Sequence, residues 1–195
     1  MTLSAANSPI SSTLDLITPA WSCPANVVAY TTTRMGGTSI GDFAGLNVGA
    51  HVGDELLLVK ANRSLIPHSE KITWLEQVHS NRVVSLPSAD TTADASYSSS
   101  TSHFCAVMTA DCVPILLCDE SGQEVAAVHA GWKGLDTNII GSAVSHFGSD
   151  AKKLIAWVGP AISGPCYEVD AQLASKFRHI DGAIANSSNR GKYLL

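Results

Sequence analysis

The chain has 195 residues, of which 45% are hydrophobic and 15% are charged. This composition excludes intrinsic disorder and a coiled coil, and the length suits a single domain spanning residues 1–195. Twelve Lys and Arg against 17 Asp and Glu give a net charge of −5, which argues against a nucleic-acid partner but allows a small anionic ligand.

The apolar stretches are short, and the longest fall far below the roughly 20 residues of a membrane-spanning helix, so no membrane partner is expected. The Ser- and Thr-rich start, residues 1–19, has neither the basic residues nor the apolar block of a secretory signal. Five cysteines, an odd number, then favour reduced thiols and a cytoplasmic location.

The first third of the chain predicts short elements separated by glycine-rich turns. Residues 27–33 are β-branched and aromatic and predict a strand that ends in a turn at residues 34–37. A loop follows over residues 41–53, and Asp54 is expected to cap a helix that runs to Leu65. The residues expected on its inward face are Leu57, Leu58, Ala61 and Leu65.

The remaining chain holds the densest apolar runs. Strands are predicted at residues 72–78, 82–86, 104–109, 113–118, 124–129 and 154–158. Residues 90–102 predict a polar loop, residues 119–123 a hairpin turn and residues 134–147 a helix, and Asp170 is expected to cap a further helix. Hairpins and crossovers together predict an α+β fold in α/β/α layers, with a mixed, largely antiparallel sheet flanked by helices.

Three residues with metal-binding side chains lie at the ends of predicted strands. His79 follows one strand, Cys112 lies in the break between two, and His129 ends another. Two imidazoles and one thiolate with an open fourth position can hold a catalytic zinc ion. The separations of 33 and 17 residues are long, and an ordinary structural role remains an alternative for each residue: a hydrogen-bonded histidine or a core cysteine.

Polar residues beside glycines form a second candidate site. Arg34 precedes Gly36 and Gly37, Asn47 lies in the following loop, and Arg63 lies on the predicted helix. Glycines let backbone N–H groups approach a ligand, and arginine makes bidentate hydrogen bonds to phosphate or carboxylate. The alternative is that both arginines only fasten surface loops.

Seven short motifs follow one another along residues 27–170. They are TTTRMGG at 31–37, LNVGAHVGD at 46–54, NR at 62–63, QVH at 77–79, TADCVP at 109–114, HAGWKG at 129–134 and VGPAI at 158–162. Together they resemble the YfiH family (DUF152), also called the multicopper polyphenol oxidase or laccase-like family.

The resemblance implies a YfiH-like fold and purine nucleoside phosphorolysis. In this reaction adenosine, inosine or methylthioadenosine reacts with phosphate to give the free base and ribose 1-phosphate. The resemblance also implies adenosine deamination and a metal held by His79, Cys112 and His129. Zinc is the expected ion, since one site with two histidines and a cysteine offers too few ligands for a multicopper centre.

The other site residues take roles under the same resemblance. For deamination, Asp111 is the carboxylate nearest in sequence to the metal ligands and would move protons. For phosphorolysis, Arg34 and Arg63 would position phosphate while Asn47 holds the nucleoside. Lys133, the fourth residue expected to bind substrate or phosphate, stands where the family has arginine, and it keeps the charge but loses the planar fork.

Three alternatives remain open at this point. One is phenol oxidation with copper; another is a metal-free hydrolase with Cys112 as nucleophile and His129 or His79 as base. The third is a binding protein without enzymatic activity. Because the family normally continues past the position of Leu195, the chain is expected to be C-terminally short.

Overall fold

The computed structural model describes residues 14–195, which form two compact units. The described part of the first comprises residues 14–20 and Val28–Ile72, and the second comprises Trp21–Val27 and Thr73–Leu195. Most of the Ser- and Thr-rich start, residues 1–13, lies outside the described residues. A single domain over residues 1–195 stays a prediction.

The first unit consists of a glycine-rich loop with few regular elements. These are strands β1 (Leu16–Ile17) and β2 (Thr31–Thr32), helix α1 (Leu56–Leu65) and short 3-10 helices at Gly41–Phe43 and Ser69–Lys71. Strands β1 and β2 pair antiparallel. The strand predicted over residues 27–33 is therefore reduced to two residues, because its partner β1 is itself only two residues long.

Helix α1 turns a different face inward from the one that its leucines predict. Val59 and Asn62 are buried, whereas Leu57 is 70% exposed. The helix ends at Leu65 as predicted, but the N-cap residue is Glu55, which makes no side-chain cap hydrogen bond. A polar residue can replace a leucine in the interior when its hydrogen bonds are all made, as those of Asn62 are.

The second unit contains a five-stranded and a three-stranded sheet with short helices. The strands are β3 (Val83–Ser85), β4 (Ala95–Ser98), β5 (Val113–Asp119), β6 (Val125–Ala130), β7 (Leu154–Val158), β8 (Glu168–Asp170), β9 (Ala185–Asn186) and β10 (Lys192–Leu194). The helices are α2 (Trp132–Asp136), α3 (Ile139–Val144) and α4 (Ala171–Phe177), with 3-10 helices at Ala151–Lys153 and Gly164–Cys166.

The five-stranded sheet has the order β3-β4-β6-β5-β7. Strands β3 and β4 are parallel, and the other neighbours are antiparallel. The smaller sheet, β8-β10-β9, is antiparallel throughout. The predicted α+β class, with a mixed and largely antiparallel sheet flanked by helices, is confirmed.

Helix α3 covers the centre of the larger sheet. Its Ile139 and Ala143 are fully buried in one apolar cluster with Ile115 of β5 and Val128 of β6. The predicted hairpin between β5 and β6 is present, and the strand at Leu154–Val158 is confirmed. Within residues 14–195 no helix combines the length and apolar character needed to cross a membrane.

The helix predicted over residues 134–147 is interrupted between α2 and α3. Asn138 adopts a left-handed backbone with φ 67°, and its side-chain oxygen accepts a hydrogen bond from the Gly141 N–H at 3.2 Å. Asparagine is one of the few residues that tolerate this conformation. It ends the first helix and caps the second, whereas the apolar spacing continues across the break. By contrast, Asp170 caps α4 as predicted, accepting a hydrogen bond from the Leu173 N–H.

Two predicted strands are wrong because a side chain supplies their pairing. Residues 72–78 contain only isolated bridge residues, Ile72 and Glu76, and residues 105–109 lie outside the strands. Gln77 accepts a hydrogen bond from the Met108 N–H at 2.7 Å and donates one to the Met108 carbonyl at 2.8 Å. Its amide thereby satisfies both backbone groups that a neighbouring strand would otherwise bind.

The polar loop predicted over residues 90–102 contains β4, which lies inside the sheet between β3 and β6. Ala95 and Ser96 are completely buried there. Small side chains suit this crowded position, so serines that look typical of a loop belong to the core.

All five cysteines are free thiols. Cys118 is fully buried, and Cys105 is partly buried. Cys166 is exposed and Cys23 is partly exposed, in keeping with their positions beside prolines. The cytoplasmic location that was expected from reduced thiols stays a prediction.

Candidate metal centre

The three residues predicted from strand ends lie together in the second unit. The metal-binding atoms of His79, Cys112 and His129 all lie within 4.8 Å of one another. Cys112 Sγ is 3.9 Å from His79 Nε2, and the two imidazole rings meet edge to face with centroids 4.7 Å apart. Exposure decreases from His79 through Cys112 to the buried His129. The cluster is therefore accessible from the side of His79.

The sheet and two turns position these ligands. His129 lies in β6 opposite Pro114 of β5, and Cys112 immediately precedes β5. His79 lies in the turn before β3 and has a left-handed backbone with φ 58°. Such a conformation is costly for a residue with a side chain and persists only where neighbouring groups support it.

A buried carboxylate supports the turn at His79. Asp94 is completely buried, and its Oδ1 accepts a hydrogen bond from the His79 N–H at 2.9 Å. Its Oδ2 accepts hydrogen bonds from the Ser80 N–H at 2.6 Å and the Ser80 hydroxyl at 2.8 Å. One side chain thereby holds consecutive backbone groups of this turn.

The same carboxylate contacts a second ligand. Asp94 Oδ1 lies 2.9 Å from His129 Nδ1, and the His129 N–H donates to the Asp94 carbonyl at 2.7 Å. Burial alone would raise the pKa of Asp94, but the hydrogen bonds from His129, Ser80 and His79 outweigh it and lower that pKa to about 2. Sequence reasoning missed Asp94. Its one signal is its position directly before β4, and that strand was not predicted either.

Gly131 leaves space for the cluster. A Cβ atom at this position would lie 3.0 Å from His79 Cδ2 and 3.1 Å from Cys112 Sγ. Both distances are shorter than ordinary contacts of a side-chain carbon. The backbone after β6 therefore approaches the cluster as closely as a residue without a side chain allows.

The donor set fits zinc. With Zn–N and Zn–S bonds of about 2.0 and 2.3 Å, two nitrogens and one sulfur around a tetrahedral ion lie about 3.3 to 3.5 Å apart. The ligand atoms here lie within 4.8 Å of one another, a limit that exceeds this spacing by roughly 1.3 Å. Three protein ligands would leave one position for water or substrate, as catalytic zinc sites do.

The environment of Cys112 favours metal binding over metal-free nucleophilic catalysis. Burial raises the pKa of its thiol, and the negative charges of Asp111 and Asp94 raise it further. A reactive cysteine needs the opposite, a lowered pKa that populates the thiolate. A bound cation would supply the missing positive charge and stabilise the thiolate directly.

Asp111 and Lys133 lie outside the cluster. Asp111 is exposed, and its carbonyl accepts a hydrogen bond from the Ile162 N–H at 3.0 Å. Lys133 is exposed, and its Nζ lies 5.7 Å from the centre of the Trp132 ring. Their predicted roles in proton transfer and substrate binding stay predictions.

Both arginines of the predicted anion site fasten the glycine-rich loop of the first unit. Arg34 Nη2 donates to the Ala44 carbonyl at 3.0 Å, and Arg63 Nε donates to the Val48 carbonyl at 2.9 Å. Burial lowers the pKa of Arg63. These contacts match the structural alternative, and phosphate binding by either residue stays a prediction.

Asn47 and Asp54 link the two ends of the same loop. Asn47 Nδ2 donates to Asp54 Oδ2 at 2.8 Å, and the Ser39 hydroxyl donates to the same oxygen at 2.6 Å. The hydrogen bonds from Ser39 and Asn47 lower the pKa of Asp54. The binding of a nucleoside by Asn47 also stays a prediction.

Asn62 of α1 is completely buried, and its side chain holds this loop by hydrogen bonds. Its Oδ1 accepts hydrogen bonds from the Thr38 N–H at 2.7 Å and the Thr38 hydroxyl at 3.1 Å. Its Nδ2 donates to Ser39 Oγ at 2.9 Å and to the carbonyls of Asn47 and Gly45 at 2.8 and 3.3 Å. The amide thus makes its hydrogen bonds to the loop that carries Asn47. The leucine spacing of α1 did not predict this role, because it placed the leucines on the inward face instead.

Known proteins are similar to this chain in sequence and in fold. Residues 28–195 match the family described as multi-copper polyphenol oxidoreductase laccase. The purine nucleoside phosphorylase YfiH of Shigella flexneri is 44% identical over 188 residues, which are 92% of this chain and 77% of that protein. A purine nucleoside phosphorylase of Haemophilus influenzae is 38% identical over 192 residues, 93% of this chain and 79% of that protein.

A crystal structure supports the same grouping. A DUF152-family protein of Neisseria meningitidis superposes with a TM-score of 0.85 at 36% identity, covering 92% of this chain and 77% of that one. The YfiH-like fold predicted from the seven motifs is confirmed.

Proposed function

Because the chain belongs to the YfiH (DUF152) family of multi-copper polyphenol oxidoreductase laccases, we propose that it is a zinc-dependent purine nucleoside phosphorylase. Its substrates would be a purine nucleoside (adenosine, inosine or methylthioadenosine) and phosphate. The supporting observation is the approach of His79, Cys112 and His129 within 4.8 Å, in a chain 44% identical to a protein named purine nucleoside phosphorylase YfiH.

The cluster residues would hold zinc, which when bound supplies a Lewis acid and lowers the pKa of a coordinated water. The exposed side of the cluster, at His79, admits a small substrate. Asp94 accepts a hydrogen bond from the His129 Nδ1–H group, which would leave Nε2 of that ring to bind the cation. In phosphorolysis a phosphate oxygen forms the new bond to C1′ of the sugar as the bond to the purine nitrogen breaks.

Phosphate would be held by cationic side chains, for which Arg34, Arg63 and Lys133 are the proposed residues. A guanidinium carries five N–H donors, and the Ala44 carbonyl uses one of those of Arg34. Asn47 is proposed to contact the nucleoside. Replacing either arginine by alanine should raise the KM for phosphate more than it lowers kcat.

The decisive experiment combines metal analysis with a product assay. Purified protein should contain about one zinc per chain and, with adenosine and phosphate, release adenine and ribose 1-phosphate. Cys112→Ala should lose both the zinc and the reaction. Cys166→Ala, which removes an exposed thiol outside the cluster, is the matched control and should keep both. Equal activity of the Cys112→Ala protein would contradict the proposal.

Adenosine deamination is proposed as an additional reaction of the same centre, with Asp111 moving protons. It would form inosine in the absence of phosphate. Asp111→Asn should slow inosine formation and leave the zinc content unchanged. An unaltered rate would remove Asp111 from the mechanism.

Phenol oxidation with copper is the second candidate function, favoured by the description of the matching family. A multicopper centre requires several sets of ligands. Within residues 14–195, one cluster of three His, Cys, Asp or Glu side chains has metal-binding geometry. Copper in the purified protein, together with oxidation of phenols that Cys112→Ala abolishes, would favour this function over phosphorolysis.

A further inference from the structure

We propose that Asp94 is a positioning residue of the metal centre, which sets the orientation of two of its three ligands. The inference rests on the proposed metal site and extends it to a residue outside the three proposed metal ligands. The observation is the convergence of His129 Nδ1 and the His79 N–H on one buried carboxylate oxygen, each at 2.9 Å.

The contact with His129 determines which ring nitrogen carries the proton. A carboxylate only accepts hydrogen bonds, so Nδ1 of His129 must be the protonated nitrogen. The lone pair of the neutral ring then lies on Nε2, the nitrogen that faces away from Asp94. A metal ion needs that lone pair, and a hydrogen-bonded carboxylate behind the ring fixes the orientation in which the ring presents it.

The contact with His79 acts through the backbone. The N–H groups of Val78, His79 and Ser80 all donate to the Asp94 carboxylate, at 3.3, 2.9 and 2.6 Å. Successive N–H groups around one anion stabilise a tight turn. They compensate the left-handed backbone of His79, whose φ is 58°, and this conformation sets the direction of its imidazole.

Because Asp94 and His129 are both buried, water cannot replace the Asp94 carboxylate if it is removed. Asp94 is 0% and His129 is 4% exposed, so neither group can exchange its partner for water. Hydrogen bonds in such an environment are strong, and the loss of one partner leaves the other unsatisfied. Removing the carboxylate should therefore release both ligands from their productive orientation.

The test is the zinc affinity of Asp94→Asn, measured by competition with a chromophoric chelator. Outer partners of metal ligands typically contribute a factor of about 10 to 100 in affinity, and we expect a loss in that range. Asp119→Asn is the matched control, because Asp119 is a buried carboxylate of the same unit that also accepts backbone hydrogen bonds, from Ser121, Gln123 and Glu124. This control should lower the thermal midpoint but leave zinc affinity within about twofold of the unchanged protein.

A second measurement does not depend on a folded variant. Nitrogen-15 NMR of the histidines in the zinc-loaded, unmodified protein should find the proton of His129 on Nδ1. A proton on Nε2 would overturn the proposal, as would an Asp94→Asn affinity equal to that of the Asp119→Asn control.

The outcomes also separate this inference from the proposed activity. A protein that binds zinc and depends on Asp94, but releases no base from nucleosides, supports the positioning role and contradicts the phosphorylase. A protein that binds no zinc would overturn both the metal centre and the role of Asp94.

Discussion

Each unit of the molecule contains a completely buried polar side chain with several hydrogen bonds, Asn62 in the first and Asp94 in the second. Asn62 is neutral, and both its donors and its acceptor serve the glycine-rich loop. Asp94 is charged and divides its oxygen atoms between the backbone of a turn and the imidazole of His129. A neutral centre shapes a loop, whereas a charged centre also controls the chemistry of a neighbouring group.

The difference follows from the cost of burial. An amide is accommodated once its few hydrogen bonds are made, but a buried carboxylate requires several donors to remain ionised. Val78, His79, Ser80 and His129 provide them around Asp94. Because the Asp94 carboxylate needs several donors, it binds both the turn at His79 and the imidazole of His129 in β6, and it thereby links these two elements.

The largest effect on stability is expected for Asn62→Ala. It removes the five hydrogen bonds of the buried amide, among them those with the Thr38 N–H and the Asn47 carbonyl. A hydrogen bond typically contributes about 0.5 to 1.5 kcal/mol, so we expect a total loss of about 3 kcal/mol or more in urea unfolding. Asn81→Ala, which removes one exposed hydrogen bond to Thr137, should cost less than about 1 kcal/mol. Equal losses in the two variants would contradict the central role of Asn62.

Gly131→Ala should show the reverse pattern, with an effect on the metal rather than on folding. The new methyl group would displace His79 and Cys112, whose nearest atoms lie 3.0 and 3.1 Å away. We expect zinc affinity to fall about tenfold or more, equivalent to about 1.4 kcal/mol. Gly148→Ala is the control, since its nearest contact would be Glu124 Oε1 at 3.6 Å. Unchanged zinc affinity in Gly131→Ala would show that the cluster has more space than its geometry indicates.

The smallest effect concerns the pH dependence of folding stability. A partly buried carboxylate in the second unit can cause such a dependence, whereas a neutral amide such as that of Asn62 cannot, and Glu124 provides the test. Burial alone would raise the pKa of Glu124, but hydrogen bonds from Tyr97, Gly148 and Ser149 outweigh it and hold that pKa below the ordinary 4.5. A lowered folded-state pKa contributes stability that is present above about pH 4.5 and is lost as the pH falls further.

Glu124→Gln should therefore lower the thermal midpoint at pH 7, and the difference from the unchanged protein should shrink below about pH 4.5. Thermal unfolding measured across this range is the test. A difference that stays constant with pH would assign the effect to packing instead of charge.

Cys112 and His129 were predictable because they lie at strand ends, directly before β5 and near the end of β6, where a sheet holds side chains in fixed directions. His79 was selected because it follows the strand predicted over residues 72–78, which the structure lacks, so the family motif QVH is what supports that choice. Asp94 could not be predicted, since its role depends on pairing between β4 and β6, which no local pattern indicates.

The fold shows the same division between local and distant effects. The apolar strands β5, β6 and β7 and the cap at Asp170 follow from local pattern and were found. The pairing that Gln77 supplies to Met108 was missed, because one side chain replaces a strand partner 31 residues away. Burial of Asn62 was missed because hydrophobic spacing counts an amide as polar whether or not its hydrogen bonds are made.

The left-handed backbone at His79 restricts which ligands can be exchanged at this centre. Apart from glycine, the residues that adopt such a conformation most readily are Asn, Asp and His. Aspartate alone among the replacements would retain the turn and supply an anionic oxygen, which harder cations such as manganese prefer. Redesign for a different metal would therefore begin with His79→Asp, while Cys112 and His129 impose no comparable demand on the backbone.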